Sequence, residues 1–181
     1  MKLPGITLIA IGYFERKMLD ALADEVSNEY HTDVYLREEF KDLSPFFDPA
    51  RKQYNGNALL KEIESQYALE NRKTIALVTV DLFIPILTYI FGQAYLNGRT
   101  GIASMYRLSN ERYGLPRNDE LLFDRCVKEL VHELGHAYGL IHCRTLRCVM
   151  LSSTYVEDID QKSMHLCMEC QKILGIHDHK K

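Results

Sequence analysis

The sequence predicts an α/β domain built on a mixed, mostly parallel sheet. Helices cover it, one of them long, and a small cysteine-rich C-terminal subdomain follows. Three observations carry this. Apolar runs of strand length alternate with amphipathic stretches of helix length over residues 6–80, the pattern of β-α-β units and hence of parallel strands. Asn97-Gly98 stands between two strand-like runs, a hairpin signal that adds one antiparallel strand. Four of the five cysteines fall after residue 142, in two close pairs.

Residues 6–12 are apolar throughout and predict a buried strand. They faintly resemble a secretory leader, but no small-residue cleavage site follows, and Glu15, Arg16 and Lys17 come at once. Residues 14–30 predict a helix with Phe14, Met18, Leu19, Leu22 and Val26 on one side, and 32–37 a second strand. The stretch 41–56, with Pro45, Pro49 and Asn55-Gly56, reads as a loop. Residues 57–70 predict a helix and 73–80 a third strand. The apolar run Leu82–Phe91 is too short to span a bilayer and contains Pro85. Residues 88–96 and 102–107 are the two arms of the hairpin. A long helix then starts at Asn118, which suits an N-cap, with Asp119 and Glu120 placed to meet the positive helix end. Its apolar stripe runs through Leu121, Leu122, Val127, Leu130, Val131 and Leu134, and Cys126 reads as a small core residue. The chain is expected to divide into residues 1–140, ending in this helix, and residues 141–181. The last five residues, His177 to Lys181, read as a frayed end.

Residues 132–142 read His-Glu-Leu-Gly-His-Ala-Tyr-Gly-Leu-Ile-His. Spacing by four stacks His132 and His136 on one helix face, about 6 Å apart along the axis, so two imidazoles can hold one zinc ion. Glu133 lies about 100° round the helix, beside the ligand set rather than in it. Gly139 can take the backbone shape that ends the helix and turns the chain back to offer His142 as a third ligand. Three protein ligands leave the fourth tetrahedral position open, the mark of a catalytic site. The alternative, a pair of satisfied histidines on an amphipathic helix, does not account for Gly139 and His142 at these offsets.

Cys143, Cys148, Cys167 and Cys170 give the pattern Cys-x4-Cys, an excursion, then Cys-x2-Cys, which suits a tetrahedral thiolate zinc site. Unrelated buried cysteines, or His165 in place of one cysteine, are the competing readings. Sulfur ligands also admit iron, but the chain has no electron-transfer feature. A cytoplasmic, reducing location is expected, which favours bound thiolates over disulfides. At 181 residues and 46% hydrophobic, the chain is long and apolar enough for a sizeable core. The net charge of −3 offers no bulk attraction to nucleic acid or an anionic membrane.

Together the histidine motif, Cys143, Cys148-Val149-Met150 and Cys167-x2-Cys170 resemble the archaemetzincins, a branch of the metzincin metallopeptidases. Phe91-Gly92-Gln93-Ala94 and Ser104–Leu108 also resemble stretches of that family. The resemblance implies a metzincin-like fold, with Met150 as an apolar floor beneath a catalytic zinc and the four cysteines around a second, structural zinc. It further implies that Tyr89–Leu96 is the cleft-edge strand to which a peptide adds. Many metzincins place an assisting tyrosine shortly after that methionine; Tyr155, five residues on, has a different spacing and is not assigned the role.

The expected function is that of a zinc-dependent metallopeptidase, a hydrolase acting on peptide or protein substrates as a cytoplasmic monomer. Its mechanism would be attack by a metal-activated water with Glu133 as general base. Two alternatives are weighed against it. One is a non-catalytic zinc-binding module that captures a peptide at the sheet edge. The other is a metal-dependent endoribonuclease of similar histidine spacing, against which Glu133, the cysteines and the acidic charge balance all argue.

Overall fold

A computed structural model describes residues 3–176; the tail from His177 onward lies outside them. Five strands form the main sheet: β1 (Gly5–Ile11), β2 (Val34–Glu39), β5 (Arg72–Val78), β8 (Gly92–Ala94) and β9 (Thr100–Ser104). Their order is β2-β1-β5-β9-β8. All neighbours are parallel except β8, which runs antiparallel to β9 with Gly92 opposite Ala103 and Ala94 opposite Gly101. The expected single antiparallel strand is therefore present, at the end of the sheet.

Side chains alternate across each strand, so the sheet has two apolar faces, as a covered parallel sheet must. Ile6, Leu8, Ile75 and Leu77 face helices α1 (Arg16–Tyr30) and α3 (Asp119–Ala137). Ile9, Ile11, Ala76, Val78 and Ile102 face α2 (Gly56–Tyr67). The expected N-cap is made: Asn118 Oδ1 accepts from the Leu121 amide at 3.0 Å. From Arg125 to Gly135 every residue of α3 is buried, the charged ones included. It is the central helix of the molecule.

Three expectations need correction. The stretch 41–56 is not all loop: it holds β3 (Phe47–Asp48) and β4 (Gln53–Asn55), which join β6 (Leu82–Ile84) and β7 (Leu87–Ile90) in a second sheet of order β3-β4-β6-β7. Strands of two or three residues carry no periodicity to read; tertiary bonds make them, such as the Tyr54 amide donating to the Asp81 carbonyl. The Asp81 carboxylate takes both arms of Arg107 at 2.6 and 2.7 Å and braces this sheet. The proposed edge strand Tyr89–Leu96 is split. Its first residues belong to β7, its middle is β8, and the break falls at Phe91, buried in the main core. The strand expected at 32–37 begins at Val34, after a turn in which His31 adopts φ 48. Cys126 is fully buried, as expected.

After α3 the chain winds back through α4 (Val156–Gln161) and α5 (Met168–Leu174). Leu140, Val149, Met150, Ile159 and Leu166 join the same core as α1 and α3. The Arg125 guanidinium anchors this segment. It grips Asp160 with two bonds of 2.7 Å, and donates to the Leu108 carbonyl and Asn110 Oδ1. Replacing Arg125 with Met should therefore lower unfolding free energy by about 2–3 kcal/mol. That is below the ~3–5 of a fully buried pair, because the Asp160 side chain keeps 32% exposure. A denaturant melt showing a loss under ~0.5 kcal/mol would mean that the clamp is incidental.

Candidate metal centre and catalytic cleft

Helix α3 delivers His132 and His136 to one face, and the turn at Gly139, φ 104, returns His142 beside them. Ring centroids of His142 lie 5.2 and 4.9 Å from those of His132 and His136. Each helical histidine is oriented by a backbone carbonyl: Val149 O lies 2.9 Å from His132 Nδ1, and Leu140 O lies 2.7 Å from His136 Nδ1. A carbonyl can only accept, so in the neutral rings both Nδ1 atoms carry the proton and both Nε2 atoms are bare. Burial depresses the pKa of all three histidines, which keeps them neutral.

The two bare Nε2 atoms face each other at 3.1 Å. Two opposed lone pairs repel, so this arrangement calls for a cation between them. A tetrahedral zinc with bonds of ~2.0–2.1 Å would set its nitrogens about 3.3–3.4 Å apart. The donor set fits zinc. Met150, fully buried, lies against Gly135, where any added Cβ would overlap its Sδ.

Glu133 is buried beside this centre, and its Oε2 has no hydrogen-bond partner. Burial pushes its carboxyl well above the ordinary range. The charge of Glu129 adds to this, and Lys162 opposes it. Glu129, one turn earlier, is itself raised by burial to about 7.

The four late cysteines come together. Cys143 Sγ and Cys167 Sγ lie 3.7 Å apart, and Cys148 Sγ and Cys170 Sγ lie 3.8 Å apart. A disulfide needs ~2.05 Å, whereas the edge of a tetrahedral zinc–thiolate site is about 3.8 Å. Burial works to raise the Cys167 thiol, but hydrogen bonds from the Cys170 amide and from neighbouring side chains prevail and bring it down to about 6. Cys148 and Cys170 are pushed up by burial. His165 stands apart. Its Nδ1 meets Glu29 of α1 at 2.7 Å, so it does not replace a cysteine.

Both edges of a cleft of about 600 Å³ converge here, with β8 on one side and residues 152–155 on the other. Sequence reasoning missed several of its residues: Glu129, Lys162 and Ser153. Each comes from a different segment, and none sits at a motif offset. Gly92 had a family-like neighbourhood as its only signal. A Cβ there would stand 2.6 Å from Glu133 Cγ and 2.8 Å from the Ile102 carbonyl, so the glycine makes room for the carboxylate. Tyr155 lines the cleft and is largely exposed.

The family model for peptidase family M54 matches residues 6–175. The archaemetzincin of Thermococcus kodakarensis is 35% identical over 175 residues, 93% of this chain and 94% of that one. That of Haloquadratum walsbyi is 33% identical over 172 residues, 93% of this chain and 98% of that one. Among solved structures, the archaemetzincin of Methanopyrus kandleri superposes with a TM-score of 0.82 at 31% identity, covering 96% of this chain and 94% of that one. A zinc-dependent peptidase from Methanocorpusculum labreanum gives 0.81 at 27% identity, covering 94% and 100%.

Gly92→Ala tests the room left for Glu133. It should keep its histidine-site zinc, measured by elemental analysis, yet lose about 10²-fold in turnover, because a displacement of ~1 Å at a reacting group costs that much. Turnover within threefold of wild type would show that Glu133 tolerates the intrusion.

Proposed function

The chain belongs to peptidase family M54, the archaemetzincin zinc metallopeptidases, and we propose that it hydrolyses peptide bonds at the three-histidine centre with Glu133 as general base. One observation carries the assignment of roles: two bare imidazole nitrogens opposed at 3.1 Å, next to a buried carboxylate oxygen without a partner. His132, His136 and His142 would hold the catalytic zinc. When bound, zinc supplies a Lewis acid that acidifies water and polarises a carbonyl.

Glu133 Oε2 takes the proton of the attacking water and returns it to the leaving nitrogen. Its raised proton affinity suits it to hold that proton between the two steps. The outer edge of β8 is free of a strand partner in the sheet order, so its amides and carbonyls are available to an extended peptide. Gly92 lets that strand approach Glu133 closely.

Cys143, Cys148, Cys167 and Cys170 would hold a second, structural zinc, making residues 141–181 a metal-stapled subdomain that supports the first centre. Three consecutive residues couple the two. Cys148 belongs to the sulfur cluster, Val149 gives its carbonyl to His132, and Met150 lies against Gly135 while its carbonyl accepts from the Cys143 amide at 2.9 Å. We read the protein as a cytoplasmic monomer acting on peptides or proteins, without nucleic-acid or membrane partners. Metal-bound thiolates persist in a reducing compartment. No helix among the described residues is long and apolar enough to cross a membrane.

Glu133→Ala should retain zinc but lose at least 10²-fold in hydrolysis of a broad peptide library. Wild-type rates in that variant would remove the general-base role. The wild type should hold two zinc ions per chain and Cys170→Ser one. That serine variant should melt lower, and its histidine site should bind zinc ~10–100-fold more weakly. Unchanged affinity at the histidine site of the folded variant would mean that the two centres are independent.

A further inference from the structure

Lys162, immediately after α4, is 4% exposed and lines the cleft. Burial lowers the pKa of its amine, Glu129 and Glu133 act through space to keep it charged, and no hydrogen bond joins it to either. Among the described residues no carboxylate oxygen lies within ion-pair distance of it. Its amine therefore faces the cleft without an ionic partner and is available to an acceptor that enters there. Ser153 Oγ, lining the same cleft, is likewise buried without a partner.

These groups lie to one side of the metal centre. Along α3 the order is Glu129, Glu133, His136. The Asn97 amide donates to the His136 carbonyl, and Tyr89 Oη of β7 donates to the Thr154 carbonyl at 2.9 Å, a strap between two segments that line the cleft. The Arg107 guanidinium over the Tyr89 ring, 4.1 Å away, steadies that strap. The cleft is thus a chamber lined by two donors that no protein group occupies, the Lys162 ammonium and the Ser153 hydroxyl. With zinc bound, its two charges and the ammonium would outweigh the two carboxylates by one positive charge.

We propose that this chamber receives a carboxylate of the substrate, held by Lys162 with Ser153, so that peptides presenting an acidic side chain or a free C-terminus next to the scissile bond are preferred. The inference rests on the peptidase reading of the centre. Both sources offer the same chemistry, a charge-assisted bond worth about tenfold or more in affinity.

Three probes separate them: acetyl-Ala-Glu-amide, acetyl-Ala-Gln with a free C-terminus, and acetyl-Ala-Gln-amide. Binding is measured by calorimetry to the zinc-loaded full chain carrying Glu133→Gln, which prevents turnover. At least one carboxylate probe should bind tenfold or more tighter than the neutral amide. Lys162→Met should abolish the advantage and Lys162→Arg largely keep it. An advantage for the first probe names the side chain as the source, and for the second the terminus. Equal binding of all three probes overturns the proposal, whether or not the Lys162 variants fold. An advantage that survives Lys162→Met also overturns it, because the carboxylate is then held by the metal. A library digest by the wild type keeps the two readings apart. Cleavage without any carboxylate preference would leave the peptidase and remove the chamber; carboxylate binding with no cleavage of any peptide would do the reverse.

Discussion

Two backbone carbonyls govern the rest of the site. Val149 O and Leu140 O hold the Nδ1 protons of His132 and His136, and so leave two bare Nε2 atoms facing each other. Without those acceptors the rings could rotate or exchange tautomers, and the convergence would be lost. Neither carbonyl reaches its place through α3 itself. Leu140 arrives because Gly139 reverses the chain at φ 104, with the Leu140 amide bonded to the Gly135 carbonyl. Val149 arrives because Cys148 and the other thiols close the excursion beneath the helix. The geometry of the histidine centre is thus a property of the segment after α3 as much as of the motif.

Close approach is the second requirement, and small residues meet it. Gly92 brings β8 against Glu133, and Gly135 admits Met150 against the helix. Gly101 would place an added Cβ 3.2 Å from Ala94 Cβ on the paired strand and 3.6 Å from Glu133 Cβ, so its neighbour on β8 constrains it more than the carboxylate does. The antiparallel placement of β8 then matters. As the last strand of the sheet among the described residues it has one unpaired edge, and its Gly92 lies against the buried carboxylate.

How far the sequence could be read follows from this. The histidine set, Gly139, the Asn118 cap and the cysteine pairs are local patterns, each fixed by helix period or turn chemistry within a few residues, and they are legible. The central strands β1 and β5 are legible too, because burial on both faces makes them mostly apolar. What escaped is set by long-range partners. Glu29 of α1 decides that His165 is an ion-pair partner and not a ligand, from 136 positions away. Asp81 and its partners make β4 a strand. Lys162 acts on Glu129 and Glu133 through space from 33 and 29 positions further along the chain (162 − 129 and 162 − 133), and no spacing announces that.

The two centres stand in opposite relation to stability. At the histidine centre, burial has already depressed three imidazoles and raised two carboxyls. The raised carboxyls cost stability wherever the unfolded chain would ionise them, the depressed imidazoles only below about pH 6.5, where the unfolded chain would charge them. Opposed lone pairs add to the cost. Only a cation and a substrate would relieve these, so this centre stays unfavourable for the sake of what enters it, as functional sites commonly do. The thiolate cluster works the other way. Its sulfurs are already spaced for a tetrahedral ion, and metal held there contributes folding free energy directly. Both centres share the run from Cys148 to Met150, so a metal at the cysteines would hold in place the carbonyl and the methionine that the histidine centre needs. The adjacency of His142 and Cys143 in the sequence is the covalent expression of the same coupling.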